Sequence, residues 1–343
     1  MTTIRIPRLG WSLRFRYRAL AAGIGCTLLA ALVGVLALGS GDYPLSPGEV
    51  LRALTGGGTP AQDFIVNELR LPRVVTALLV GAALALAGAL FQSLVRNPLG
   101  SPDVLGFTQG AACGALTVVV AGGGSLALAG GAVAGGVLTG AAVCGLAWRD
   151  GLHGGRLVLV GIGTAAILTG VNGYLLTQAK LMDAARAVLW LTGSLDGRGW
   201  SDAMPLLIAL AVLGPLAVFG CGRALHLLEL GDDTAAGLGV RVEPLRLALL
   251  ASAVVLASLA AGAAGPVSFV ALTAPQLAKR ITRAPGPNLV VAMLTGAALL
   301  ATADWAAQRL FTGHQLPVGV VTGVLGGGYL VRLLASERRA GRI

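Results

Sequence analysis

Two short segments that carry arginine and proline flank one long apolar run of the chain. They read Arg70-Leu-Pro-Arg73 and Arg96-Asn-Pro-Leu-Gly100, and the run between them predicts a helix over about 74–91. A guanidinium pairs well with a carboxylate, so such a segment can recognise an acidic partner. Proline lacks an amide donor and restricts the residue before it, so it interrupts a helix. A helix that only anchors a protein in the membrane needs neither feature. The pattern therefore indicates a helix with a functional surface at each end.

The residue types that usually carry catalysis are not arranged for it. His153, His226 and His314 match no metal-binding spacing, and the chain has no GxSxG nucleophile motif. The two lysines, Lys180 and Lys279, each follow an alanine, so no phosphate-binding loop of the GxxxxGK[ST] form is present. We therefore expect no catalytic centre, metal site or cofactor, and no ATP hydrolysis by that route.

One carboxylate, Asp304, lies inside a predicted membrane span. Intramembrane carboxylates commonly mark proton or sodium coupling, but late in the ninth span we favour a cap or a polar contact between helices for Asp304. A transporter powered by its own ion coupling is therefore poorly supported. The sequence favours a pathway that another component drives.

The composition is that of a polytopic membrane protein. Of 343 residues, 55% are hydrophobic and 12% are charged, against about 25% charged in soluble domains. The 52 glycines suit close packing of membrane helices. The net charge of +10 lies mainly in short connections, which argues against nucleic-acid binding. The four cysteines fall inside apolar runs without CxxC spacing, and we interpret them as packing residues.

Apolar runs between helix breakers predict ten membrane spans in an all-α chain. They lie near 19–39, 74–93, 104–121, 125–147, 157–177, 203–221, 246–263, 267–281, 289–306 and 316–335. With a cytoplasmic N-terminus, 18 of the 25 Lys and Arg residues fall inside and 7 outside. This asymmetry follows the positive-inside rule and predicts that both termini are cytoplasmic.

Three connections are long enough to hold short helices. In the outer connection 42–69, Ser46 precedes Glu49 by three residues, which is a helix-start signal. A second outer connection predicts a helix over 182–193. The inner connection 222–245 predicts a helix over 235–238, capped by the Asp232–Thr234 stretch. This inner helix is either a docking site for a partner or part of a solvated loop over helix ends.

The sequence resembles the FecCD family, the permease subunits of ABC importers for iron–siderophore complexes, heme and vitamin B12. The resemblance covers roughly 20–335. The matching segments are Arg70-Leu-Pro-Arg73, Gly81-Ala82, Gly88, Gln92, Asn97-Pro98-Leu99, Pro102, Leu105-Gly106, Gly110-Ala111, Leu159-Val-Gly161, Trp190-Leu-Thr-Gly-Ser194, Trp200, Leu230-Gly231, Ala235, Leu238-Gly239, Ala261-Gly-Ala-Ala-Gly-Pro-Val-Ser-Phe269, Pro275, Ala303-Asp304 and Leu316-Pro-Val-Gly319.

The resemblance implies a ten-helix subunit that works in a complex. Two permease subunits, identical or paralogous, would form one path for a metal chelate. Two cytoplasmic ATPases and an external substrate-binding protein would complete the importer. The implied location is the bacterial cytoplasmic (inner) membrane.

The resemblance also assigns a candidate role to the segment Arg70-Leu-Pro-Arg73 and to Arg309. Arg70 matches a family position that receives acidic residues of the binding protein, and Arg73 and Arg309 join it as docking candidates. The alternative is that Arg70 and Arg73 anchor the span at the headgroups. The family's second docking arginine aligns with Gln308, one residue before Arg309, and one step rotates a helical side chain by about 100°.

On the inner side the resemblance implies a gate and a coupling loop. The gate candidates are Asn97, Pro98, Leu99, His153, Gly154 and Gly155, where relatives often carry small hydroxyl residues in place of the last three. The coupling-loop candidates, which would sit in a groove of the ATPase, are Leu230, Gly231, Asp232, Asp233, Ala235, Leu238 and Gly239.

These observations predict a permease subunit without its own ATPase site, most consistent with ferric-siderophore import. Vitamin B12 or heme import is the alternative within the family, and a passive channel or facilitator is the alternative from another class. The expected organisation is a basic cytoplasmic segment over 1–18, one transmembrane domain over 19–335 containing the coupling loop 222–245, and a basic tail over 336–343.

Overall fold

The computed structural model describes residues 2–6, 11–149, 151–310 and 315–339. Within these residues it has fifteen α-helices. They are α1 Tyr17–Gly39, α2 Pro47–Leu54, α3 Pro60–Phe64, α4 Leu71–Val95, α5 Phe107–Val120, α6 Ser125–Ala147, α7 Gly154–Gln178, α8 Leu181–Leu191, α9 Trp200–Pro215, α10 Gly222–Leu228, α11 Asp232–Gly237, α12 Val242–Ala264, α13 Val270–Thr282, α14 Leu289–Ala307 and α15 Val318–Arg339.

Shorter elements join these helices. Two π-helical segments, Ile65–Arg70 and Leu216–Gly220, continue into α4 and out of α9, and a 3₁₀ helix, Pro102–Leu105, precedes α5. The strands β1 (Thr2–Ile6) and β2 (Trp11–Phe15) pair as an antiparallel hairpin before α1. The hydropathy analysis gave no indication of this hairpin. His314 and the final residues of the predicted tail lie outside the described part of the chain.

Each of the ten ranges predicted to span the membrane overlaps one of these helices. Seven of the described helices are long and apolar enough to cross a membrane: Tyr17–Gly39, Pro60–Val95, Leu126–Ala147, Gly154–Gln178, Trp200–Gly220, Val242–Ala264 and Leu289–Ala307. Two shorter apolar helices occupy the third and tenth ranges. The eighth range holds the 13-residue helix α13, which contains Pro275. Together the helices establish a polytopic α-helical membrane protein.

Helix α4 is the centre of the core. Most of its side chains are buried, and α9, α12, α13 and α14 surround it. Its glycines permit this packing: a Cβ at Gly81 would overlap the carbonyl of Gly296, and a Cβ at Gly88 would overlap the carbonyl of Ala271. Such close backbone approach is how membrane helices associate, because lipid supplies no hydrophobic drive for it.

The bundle has two ends that matter for function. The α2 end contains α2, α8 and the start of α4, and the α11 end contains α10, α11 and the end of α4. At the α2 end the predicted helix start is confirmed, because Ser46 and Glu49 form a reciprocal capping box. Helix α8 begins one residue earlier and ends two residues earlier than the predicted 182–193 helix.

Candidate functional site

At the α2 end, Arg70 is bound to the protein's own backbone. Its guanidinium donates to the carbonyl oxygens of Leu38 at 2.7 Å and Tyr43 at 2.6 Å. Helix α1 ends at Gly39, and the last carbonyls of a helix lack partners within it. Arg70 therefore closes the end of α1 and holds the chain that follows against α4.

Arg73 is the centre of a polar network at the same end. Its Nε and Nη2 atoms form a two-point ion pair with Asp304 of α14, at 3.1 and 3.0 Å. Its Nη1 contacts Asp196 at 3.3 Å and Gln315 at 3.1 Å. Asp304 is only 3% exposed and also accepts a hydrogen bond from Gln308 at 2.8 Å. Arg73 thus ties α4 to α14 and to two connecting segments.

The three predicted docking arginines surround one cavity of about 560 Å³. Arg70 and Arg73 line it while they are held by the contacts above, whereas Arg309 lines it and is exposed. Asp42 and Asp196 lie on its wall, so the cavity presents both signs of charge. The sequence analysis predicted that these three arginines share one surface. It did not indicate that Arg70 and Arg73 are paired with other groups of the same chain.

At the α11 end, the segment after α4 forms a tight turn. Arg96 adopts a left-handed conformation with φ of 53°, and the Asn97 side chain accepts a hydrogen bond from the Leu99 amide at 2.9 Å. Gln276 of α13 donates to the Pro98 carbonyl at 3.0 Å and to Gln92 at 2.7 Å. The predicted gate segment is therefore anchored to α13.

The second predicted gate segment begins beside the end of α4. A Cβ at Gly154 would stand 3.1 Å from Cα of Val95, so the two backbones are in contact at that point. A Cβ at Gly155 would meet open space, and His153 is exposed with Nδ1 3.2 Å from the Gly151 carbonyl. Gly154 therefore lies next to Val95, two residues before the first predicted gate segment.

A carboxyl group that the sequence analysis missed lies in the connection between α4 and α5. Asp103 Oδ1 is buried and lacks a hydrogen-bond partner among the described residues, while Oδ2 accepts from the Ser101 hydroxyl at 3.1 Å. Burial raises the pKa of Asp103 to about 6, although the hydrogen bond from Ser101 opposes that shift. This carboxyl, four residues after the predicted gate residue Leu99, therefore changes protonation at a higher pH than an ordinary aspartate does.

We predict that Asp103 makes stability depend on pH. The pKa of Asp103 is higher in the folded state than its ordinary value of 3.8. Its contribution to folding stability is therefore complete below pH 3.8 and is lost as pH rises through about 6. Asp103→Asn should remove this dependence, which amounts to at most about 3 kcal/mol. Thermal unfolding of detergent-solubilised protein from pH 4 to 8 checks it.

The control is Asp233→Asn, which removes an exposed carboxyl. This variant should follow the wild-type pH profile. If the stabilities of wild type and Asp103→Asn change in parallel from pH 4 to 8, the buried carboxyl does not titrate as described.

The predicted coupling helix exists, with different boundaries. Helix α11 runs over Asp232–Gly237, so the predicted start at 235 is wrong. Its cap is Gly231 with φ of 113°, a conformation that glycine adopts without strain. The acidic residues predicted to cap it lie in its first turn, where negative charge is favoured by the helix dipole.

The candidate coupling residues divide into a buried contact and an exposed surface. Ala235 is fully buried against the bundle, whereas Leu230 and Leu238 are 65% and 60% exposed. Exposed leucines on either side of an acidic turn form an apolar and charged surface of the kind that a partner protein binds. Asp233 and Gly239 are also exposed.

Asp232 connects α11 to the predicted gate. Its Oδ2 accepts from Arg246 of α12 at 2.6 Å and from Arg96, which ends α4, at 3.3 Å. Arg246 is 4% exposed and also donates to the Leu152 carbonyl at 2.5 Å. Glu243 completes the network, because it accepts from the Leu152 amide at 2.9 Å and contacts Arg246 at 3.3 Å.

These five residues, Arg96, Leu152, Asp232, Glu243 and Arg246, are called the relay cluster below. The sequence analysis did not assign Glu243 or Arg246 a role. Glu243 and Arg246 are three residues apart at the start of a predicted span, and residues with this spacing lie on one face of a helix. The sequence could therefore have predicted an ion pair between them.

The comparisons with known proteins agree with this architecture. The family model "FecCD transport family" matches residues 28–336, and the chain therefore belongs to that family. The ferric enterobactin transport system permease protein FepG of Escherichia coli (strain K12) is 47% identical and is aligned over 92% of this chain and 97% of its own length. The achromobactin transport system permease protein CbrC of Dickeya dadantii (strain 3937) is 40% identical, over 91% and 90%.

A solved structure has the same fold. It is described as an inward-facing conformation of a transporter assigned to the metal-chelate ABC type, and it superposes with a TM-score of 0.81 at 28% identity. The alignment covers 92% of this chain and 99% of that one. Together with the seven long apolar helices, the family membership establishes a multi-pass membrane transport permease.

Proposed function

We propose that this chain is the permease subunit of an ATP-driven importer whose cargo is a ferric siderophore. The observation that carries the proposal is the match along nearly the whole length of FepG, whose name assigns it to ferric enterobactin transport. A chelate of the catecholate type is therefore the first cargo to test. The chain would supply the path, while other subunits supply capture and energy.

The finer topology belongs to the same proposal. We propose ten spans with both termini in the cytoplasm, one permease domain over 19–335, and the basic ends 1–18 and 336–343 on the inner side. The α2 end then faces the outside and the α11 end faces the cytoplasm. The location would be the bacterial inner membrane, and a second permease subunit, identical or paralogous, would share the path.

The relay cluster supports a role in coupling ATP hydrolysis to the gate. Helix α11 would dock on an ATPase through its exposed Leu230 and Leu238. Movement of α11 would reach α4 through the pair of Asp232 with Arg96, and α12 through the pair with Arg246. Charged pairs in such a position provide the differential contacts that a two-state change requires.

At the α2 end we propose a docking surface for a binding protein with acidic contact residues. Arg309 is the exposed member of the three candidate arginines. Arg70 and Arg73 would shape this surface by holding α1, α14 and the intervening segments in place, and they add positive potential to the cavity. Charge complementarity of this kind mainly accelerates docking.

The function is tested by uptake into proteoliposomes. The chain is reconstituted with the ATPase, second permease and binding protein encoded by neighbouring reading frames, and ⁵⁵Fe-enterobactin uptake is measured with ATP or a non-hydrolysable analogue. We expect uptake that requires ATP and the binding protein. A hydroxamate siderophore, heme and vitamin B12 serve as competing cargoes.

A passive facilitator would give a different result. Uptake that proceeds equally without ATP would contradict the proposal, as would unchanged ATP-dependent uptake after residues 231–239 are replaced by a Gly/Ser linker. ATP-dependent uptake of heme or vitamin B12 in preference to iron chelates would keep the importer but overturn the cargo.

A further inference from the structure

An open groove of about 740 Å³ lies between the beginning of α1 and the end of α13. Its walls combine small or apolar residues with three arginines, Arg18, Arg280 and Arg283. None of the eight residues that line it is acidic. The groove is separate from the cavity at the α2 end and from the relay cluster.

The three arginines concentrate positive charge in this groove. All three are exposed, and the salt bridges among the described side chains involve none of them. Aromatic rings support two of the guanidinium groups: Arg18 lies 5.9 Å from the Tyr17 ring centroid and Arg280 lies 5.5 Å from that of Tyr329. Such rings position a cation without neutralising it, so the groove remains complementary to an anion.

The groove lies beside the start of the first long apolar helix. Helix α1 continues from it with the exposed side chains Leu20, Ile24 and Leu28, which form an apolar surface along the first span. At the other side, Lys279 of α13 contacts Glu229 next to α11 at 3.9 Å. The groove therefore lies where an apolar span meets the charged α11 end.

We infer that this groove binds the phosphate of an anionic phospholipid, with the acyl chains lying along α1. The arginines suit the phosphate, because guanidinium groups make paired hydrogen bonds to its oxygens. The apolar residues Ala21, Ala22 and Ile281 suit the glycerol and the first methylenes. Basic pockets between membrane helices are a recognised form of headgroup site.

The site is tested by native mass spectrometry and by fluorescence titration of the full chain in neutral detergent, with dioleoyl phosphatidylglycerol as the probe. The triple variant R18Q/R280Q/R283Q should bind on the order of 100-fold more weakly than wild type, since each arginine near an anionic surface contributes roughly fivefold. The zwitterionic lipid dioleoyl phosphatidylcholine should bind wild type and variant equally weakly.

The matched control is R149Q/R223Q/R241Q, which removes three exposed arginines from other positions. It should bind phosphatidylglycerol within twofold of wild type. Equal loss in both triple variants would overturn the site in favour of diffuse attraction, and so would equal binding of both lipids. Displacement of the lipid by millimolar inorganic phosphate would also overturn it, because the groove would then bind the free ion.

Folding is checked independently by gel filtration and thermal unfolding. The single variant R280Q is included in case the triple variant is unstable, and it should lose roughly fivefold in phosphatidylglycerol affinity. A folded R280Q that binds as tightly as wild type would contradict the inference.

Discussion

Replacing Arg73 with alanine is expected to cost about 3–5 kcal/mol of folding stability, the range typical of breaking a buried ion pair. The reason is Asp304, which is 3% exposed and, among the described residues, would keep only Gln308 as a hydrogen-bond donor. Burying a carboxylate without a cation costs desolvation free energy. In the wild-type protein the ion pair with Arg73 offsets this cost. Thermal and chemical unfolding in detergent, followed by tryptophan fluorescence, measures the loss.

Two further variants separate this stabilising role from a role in docking. Arg309→Ala removes an exposed arginine of the same cavity and should change stability by less than about 0.5 kcal/mol. The double variant R73M/D304L should recover much of the loss, since no buried charge is left unpaired. Unchanged stability in Arg73→Ala, combined with weaker binding of the substrate-binding protein, would instead support Arg73 as a direct docking residue.

The sequence predicted the membrane helices well because their signal is local. Helix α4 was predicted over about 74–93 and is observed over Leu71–Val95, with a π-helical segment before it. Hydropathy extends over about twenty consecutive residues, so tertiary contacts cannot easily reverse it. The eighth predicted span, 267–281, shows the limit of this signal: the helix observed there, α13, has 13 residues and is not among the helices long enough to cross a membrane.

The roles of individual charged residues could not be predicted in the same way. Arg73 and Asp304 are 231 positions apart, and Arg96 and Asp232 are 136 apart. No spacing rule connects such pairs, so the sequence analysis placed Arg73 on a docking surface and favoured a cap or a contact between helices for Asp304 without identifying its partner. The structure shows a contact between helices, with Arg73 as the partner.

The relay cluster leads to the other large expected effect. Asp232→Asn keeps the size of the side chain but removes the charge that Arg96 and Arg246 share, at 3.3 and 2.6 Å. A hydrogen bond to a charged group contributes about 1.5–3 kcal/mol, and coupling between sites commonly amounts to 1–3 kcal/mol. We therefore expect ATP-dependent uptake to fall by about 10- to 100-fold while the ATPase continues to hydrolyse ATP.

Asp233→Asn is the matched comparison for this effect, because it removes the same charge from the neighbouring position of α11. Both variants reduce the negative charge offered to an ATPase, but of these two carboxylates it is Asp232 that contacts Arg96 and Arg246. A large loss of uptake in Asp232→Asn with a small loss in Asp233→Asn would assign the effect to the link between α11, α4 and α12. Equal losses would mean that the acidic turn acts through ATPase docking alone.

Combining Arg96→Gln with Asp232→Asn tests whether these two residues act through their shared contact. If they do, the double variant should transport no worse than Asp232→Asn alone.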